Sequence, residues 1–352
     1  METLLTAEGI AFIVSLFVSA LLFSLFGRID FLRKNMIGST IFTMVGLAVG
    51  CLSVLPFFWY EYDFIVNISV WKLLVPFVGA AIIVGATIFD KDYIVLIAVL
   101  LATIMGVAVL DIEVVFFVGA PKLINQVATI VVWWSFAVGY RALSGLNTIP
   151  QTEAITVGVG FLLLSWLGLA PLMLGVFSSS LIAVFLIAYF YSSENPVGVM
   201  VSPAIGFVLG WLGLIAYGEY LLPCFVIFVM YYIIEFIVCL LKKITFLPQY
   251  KNFESNSVIL YSFYKGLPVM VILKNVWMIN SVLIVFGLFQ INGVNSYSIP
   301  SFVALLVSWQ LYKMYSWEDN AKDLNEENRE KFEQNNISKT SEKSDEVTDK
   351  DQ

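Results

Sequence analysis

Eleven long apolar stretches follow one another along this chain, separated mostly by short polar breaks. Their approximate bounds are 6–26, 39–59, 70–89, 94–110, 124–144, 155–172, 174–191, 199–217, 220–241, 269–290 and 300–315. Runs of this length and continuity are candidate membrane-crossing helices, since about 20 apolar residues span a bilayer core. The last run is short, and both crossing and lying in the interface are open for it. The expected fold is therefore an all-α polytopic membrane protein with about 10–11 transmembrane helices.

Composition excludes a soluble domain. Of 352 residues 60% are hydrophobic and only 13% charged, against about a quarter charged in soluble proteins. The acidic balance is local: from Trp317 onward there are 12 acidic and 6 basic residues, so this segment carries −6 of the net −7. Segments so polar and charged cannot bury enough apolar surface to order themselves. The expected division is a membrane domain at 1–316 and a disordered acidic tail at 317–352. No basic footprint for nucleic acid exists. Cys51, Cys224 and Cys239 lie in apolar runs without CxxC spacing, which points away from a disulfide framework or a zinc site. Histidine is absent, which removes the commonest general base and metal ligand. The first apolar run has neither a basic n-region before it nor a small-residue cleavage site after it, so it is read as a retained span.

Orientation follows the distribution of Lys and Arg. Arg28, Arg33, Lys34, Lys91, Arg141, Lys242, Lys243, Lys251 and Lys265 fall in alternate loops, whereas the opposite loops hold Lys72 and Lys122. The basic face is expected to be cytoplasmic, with the N-terminus outside. Asn147–Gly158, with its Pro150 and polar Pro-Gln-Thr-Glu run, reads as a loop at that inner surface. It shares the surface with the Asp90-Lys91-Asp92-Tyr93 turn, the Ser192–Pro196 turn and the long loop from Lys242 to Gly266. Glu235 and Lys274 lie inside spans. An intramembrane charge is a functional hint, but both sit within about two turns of the inner end, where snorkelling is cheap.

Taken together, these segments resemble the phospho-N-acetylmuramoyl-pentapeptide transferase (MraY) family of the polyprenyl-phosphate hexosamine-1-phosphate transferase superfamily. Lys265–Ile279, K-G-L-P-V-M-V-I-L-K-N-V-W-M-I, is similar to the family's K-G-W-P-E-P-K-V-V-V-R-F-W-I-I. Thr43–Leu47, T-M-V-G-L, is similar to T-M-G-G-L, and Glu235 falls where the family has the acid of V-I-E-T-L-S-V-I-L. The correspondence runs in order from the first span through the tenth. It implies an MraY-like fold in a bacterial inner membrane, Mg²⁺ as cofactor, and transfer of a sugar phosphate from a UDP-sugar to a polyprenyl phosphate.

The same alignment shows what this chain lacks. The family's F-I-D-D-Y-L-K corresponds to F-D-K-D-Y-I-V at Phe89–Val95, so the paired acids become Lys91 and Asp92. In Asn147–Gly158, Asn147 and Thr152 match, while the family's two acids become Glu153 and Thr156. A metal-binding acid becomes Pro203, and Ile259, Leu260 and Tyr261 replace a triple histidine. Mg²⁺ needs hard oxygen ligands, and proline offers neither a side-chain ligand nor an N–H.

Three readings remain open. The chain keeps the fold without the reaction; or Asp92, Glu153 and Asp90 form a reduced Mg²⁺ site, with Asp92 and Glu153 the catalytic remnants; or the scaffold serves transport or partner holding. The resemblance implies Asn147, Thr152, Lys91, Arg141 and Lys265 as substrate contacts. It implies the lipid bilayer, polyprenyl phosphate, envelope-assembly proteins and a second copy of the chain as partners. Each residue also has a local explanation: Asp90 and Asp92 as ordinary turn acids, Glu153 complementing a helix dipole, and Asn147 as a turn former.

Overall fold

The computed structural model describes residues 2–26, 70–87, 89, 91–111, 114–145, 148–191, 202–245, 257–264, 267–291 and 298–316. Candidates Asp90, Asn147 and Lys265 lie outside them, as do the 39–59 run, the Thr43–Leu47 motif, Cys51, the Ser192–Pro196 turn and the 317–352 tail.

All secondary structure among the described residues is helical: α1 (Glu2–Phe26), α2 (Val70–Thr87), α3 (Asp92–Leu110), α4 (Lys122–Gly139), a 3₁₀ turn (Tyr140–Gly145), α5 (Ile149–Trp166), α6 (Leu172–Tyr191), α7 (Ser202–Gly218), α8 (Leu222–Phe228), α9 (Met230–Thr245), α10 (Val258–Tyr264), α11 (Val269–Gln290) and α12 (Ser298–Tyr315). Four of these are long and apolar enough to cross a membrane: α3, α4 with the following turn, α6 and α11. The α8–α9 pair, bent by 64°, makes a fifth if it is one span. Shorter apolar helices lie within α1, α2 and α7. Ile97, Leu101 and Ile104 on α3, Val127 and Val131 on α4, and Phe302, Leu305 and Trp309 on α12 stand exposed. Lipid accommodates such outward apolar faces, whereas water does not.

Helices α3 and α4 run antiparallel, as the ion pairs at their two ends show. Asp92, opening α3, meets Arg141 after α4 at one of them. Asp111, closing α3, meets Lys122, opening α4, at the other. Lys72 acts electrostatically on Asp111, so Lys72 and Lys122 share an end away from Arg141, as the charge pattern predicts.

α7 is the central element, with Ala204, Phe207, Val208, Leu209, Trp211 and Leu212 all buried. It packs against α4 and α2, and α5 and α6 form the closest helix pair, with α1 against α6. Glycines permit these approaches. A Cβ on Gly206 would meet the Ala137 carbonyl oxygen at 2.9 Å and Cα at 3.0 Å. Small residues let helix backbones approach where lipid provides no hydrophobic drive for association. Trp133 of α4 stacks on Phe207 at 4.6 Å, and its indole N–H donates to the Phe207 carbonyl at 3.0 Å.

Three expectations are corrected. Ile149–Gly158 is not a surface loop: α5 begins at Ile149, with Pro150 in its first turn, where a missing N–H costs nothing and a fixed φ favours entry. The Lys242–Gly266 segment contains α10. Glu235 does not snorkel, being fully buried, whereas Lys274 is exposed.

Candidate functional site

Asp92 stands at the first position of α3, where a carboxylate complements the helix dipole. The Arg141 guanidinium, carried on the 3₁₀ turn, donates to Asp92 Oδ1 at 2.9 Å, and the acid side chain is 63% exposed. Lys91 beside it is exposed, and its ammonium lies 5.9 Å from the centre of the Tyr93 ring.

Glu153 is in the second turn of α5 and has no exposed surface. The Asn280 amide of α11 donates to its Oε2 at 3.1 Å, and the Tyr232 backbone N–H in the first turn of α9 also bonds to the carboxylate. That N–H is free to do so because the chain breaks at Val229 between α8 and α9, which leaves the first donors of α9 without intrahelical acceptors. Glu153 Oε1 and Asn280 Oδ1 have no hydrogen-bond partner. Thr152 is also buried: its hydroxyl donates back to the Thr148 carbonyl at 2.8 Å, as that of Thr156 does to Thr152 at 2.9 Å. Both hydroxyls are turned into their own helix.

A second buried carboxylate organises the neighbouring segment. Glu235 Oε1 accepts from the Ser257 hydroxyl at 2.6 Å and from the backbone N–H groups of Val258 and Ile259 at 2.7 and 3.3 Å. It thereby caps α10. Of the residues aligned with the triple histidine, Ile259 is buried and Tyr261 stacks on Tyr315 at 4.9 Å. The Lys242 ammonium lies 5.1 and 4.8 Å from the centres of those two rings. The Ser262 hydroxyl has two carbonyl acceptors within reach, Val258 of its own helix at 2.7 Å and Met314 of α12 at 3.0 Å. Helix α12 therefore ends beside α9 and α10, at the same end of the bundle as Asp92. Pro203 sits buried in the first turn of α7.

Of the sequence-predicted residues, the structure joins Asp92 to Arg141 and places Thr152 and Glu153 in the bundle interior. No hydrogen bond or ion pair among the described residues links Asp92 to Glu153. No group of three or more His, Cys, Asp or Glu side chains gathers among the described residues. Mg²⁺ binds through exposed hard oxygens and retains several waters. The donor set here does not fit that need, because one carboxylate is paired with arginine and the other is sealed from water. The third acid of the reduced-site reading, Asp90, lies outside the described residues.

Sequence reasoning missed Asn280. The signal was available: an amide amid M-I-N-S-V in an apolar run requires a polar partner across a helix interface. It also missed an almost wholly apolar cleft of about 260 Å³, which lies between α4, α7, α8 and the start of α9. Trp133, Phe136, Gly210, Gly213, Phe225 and Val229 are among its walls. In comparisons with known proteins, no family model matches the chain and no curated protein matches its sequence.

Proposed function

We propose that this chain is an MraY-like multi-pass protein of the bacterial inner membrane that does not perform phospho-sugar transfer. On this reading it serves cell-envelope biogenesis by holding a polyprenyl phosphate or an envelope-assembly partner. The observation that carries the reading is the commitment of both remnant acids, Asp92 to Arg141 and Glu153 to Asn280. Phosphoryl transfer depends almost entirely on positioned charge and metal, and each of these acids already holds a side-chain partner. The apolar cleft supports lipid holding, since its walls suit an isoprenoid or acyl chain. On this reading the ten or eleven runs each cross the bilayer, the Asp92 end is cytoplasmic and the N-terminus is outside.

Two assays test the proposal. Purified protein with Mg²⁺, UDP-N-acetylmuramoyl-pentapeptide and undecaprenyl phosphate is expected to form no lipid-linked product above a no-enzyme control. Turnover that disappears in Asp92→Asn or Glu153→Gln would refute the reading. Polyprenyl phosphate is expected to raise thermal stability more than neutral polyprenol does, because cationic groups bind phosphate by charge-assisted bonds. Equal shifts would remove headgroup recognition from the proposal.

A further inference from the structure

We propose that Glu153 and Asn280 form a buried proton-binding site, in which one proton on Glu153 Oε1 donates to Asn280 Oδ1 and closes a cyclic acid–amide pair between α5 and α11. Half of this ring is already present as the Asn280 Nδ2–H bond to Glu153 Oε2 at 3.1 Å. The other half is two oxygens, Glu153 Oε1 and Asn280 Oδ1, each without a partner and each on a side chain with no exposed surface.

Two acceptor oxygens cannot bond to each other, and a buried acceptor left unmatched is costly. A single proton supplies the missing donor and also removes the charge. The balance is simple: the carboxylate takes one proton from solvent and becomes the neutral acid, the new O–H bonds to the amide oxygen, and the amide N–H keeps its bond to Oε2. A cationic side chain would be the alternative way to neutralise the site, but Glu153 forms no ion pair with a described residue.

Among the described residues, three phenols face the site from neighbouring elements. Tyr140 comes from the 3₁₀ turn, and Tyr231 and Tyr232 from the first turn of α9. Tyr140 donates to the Pro150 carbonyl at 2.9 Å and Tyr232 donates to that of Phe136, so neither hydroxyl proton is directed at Glu153. The Tyr231 hydroxyl has no partner. It lies one helical turn before Glu235 on the same face of α9 and near Glu153 as well. The site rests on the Glu153 and Asn280 geometry alone and does not depend on whether transferase activity is present.

Infrared spectroscopy of the full chain in sodium-free deuterated buffer at neutral pH tests the assignment. The wild type is expected to show a protonated-carboxyl stretch that Glu153→Gln lacks. Glutamine can make both bonds of the ring with Asn280, so the variant is expected to fold with unchanged thermal stability. If it does not fold, Asn280→Leu provides the second arm, because loss of the amide acceptor must move the same band to higher frequency. Identical carboxyl regions in wild type and Glu153→Gln, or no shift in Asn280→Leu, would overturn the proposal. So would a wild-type band that disappears when sodium is added, since a metal cation would then be occupying the oxygens.

Discussion

Replacing Gly206 by alanine examines whether the centre of the bundle is held by backbone contact. The added methyl would fall against Tyr140 Cβ and against the carbonyl oxygen and Cα of Ala137, at 2.9 and 3.0 Å for the last two. A side-chain tip could swing aside, but the α4 backbone cannot, so α7 must move outward. That movement loosens the Trp133–Phe207 stack and the 3.0 Å indole bond beside it. Overpacking of this kind costs roughly 1–3 kcal/mol, and the helix-propensity gain from removing glycine returns about 0.5–1 kcal/mol. The net expectation is a loss of about 1–2 kcal/mol. Gly85 is the internal control, because a Cβ there meets nothing within 4 Å. Gly85→Ala is expected to be neutral or to gain a few tenths of a kcal/mol, roughly, from propensity alone. Equilibrium unfolding of both variants in the same detergent decides the matter. A Gly206→Ala protein as stable as the wild type, or a Gly85→Ala protein that loses as much, would refute the close-packing account.

Lys242→Met removes the cation above Tyr261 and Tyr315. It is expected to cost about 0.5–2 kcal/mol and to speed amide exchange selectively across Tyr312–Ser316. At the opposite end, the Lys122 ammonium holds the Asp111 carboxyl below the usual carboxylate range. The pair's stabilisation is therefore present above the unfolded carboxyl's pKa and is lost as pH falls through the lowered folded value. Both partners are largely exposed, so wild type and Asp111→Asn should differ little in thermal midpoint at neutral pH and converge in acid. Asp111 also adopts φ 47°, where a branched side chain is strained, and Asp111→Val should cost about 1–2 kcal/mol. A cysteine at Ser338 in a cysteine-free background is expected to resist an impermeant maleimide in intact cells and to react after lysis. Labelling without lysis would place the acidic segment outside.

Continuous apolar runs made several helices legible in the sequence. The expected 70–89, 94–110, 174–191 and 269–290 correspond to Val70–Thr87, Asp92–Leu110, Leu172–Tyr191 and Val269–Gln290. What misled was polarity treated as exposure. Thr152 and Glu153 are polar yet buried, because the threonine hydroxyl bonds to its own helix and the acid has a partner 127 residues away. The break at Val229 has no glycine or proline beside it; Pro223 lies in the first turn of α8. α10 was hidden because seven residues are too few to show a period. Asp92 and Arg141 were each noticed, but their pairing across 49 residues is a property of the antiparallel α3–α4 packing and is not written in either loop.

The cap that Glu235 provides also bears on the order in which the chain can mature. A helix of seven residues is far below the length at which an isolated segment holds together in water. α10 has its first N–H groups matched by a carboxylate on a helix synthesised before it, and its Ser262 is tied to a helix synthesised after it. α9 must already be seated, with its acid facing inward, before the Ser257–Tyr264 segment has anything to wind upon. The last apolar run then closes over that segment. By this order the α9–α10 end of the bundle is a late assembly, completed only when α12 has arrived.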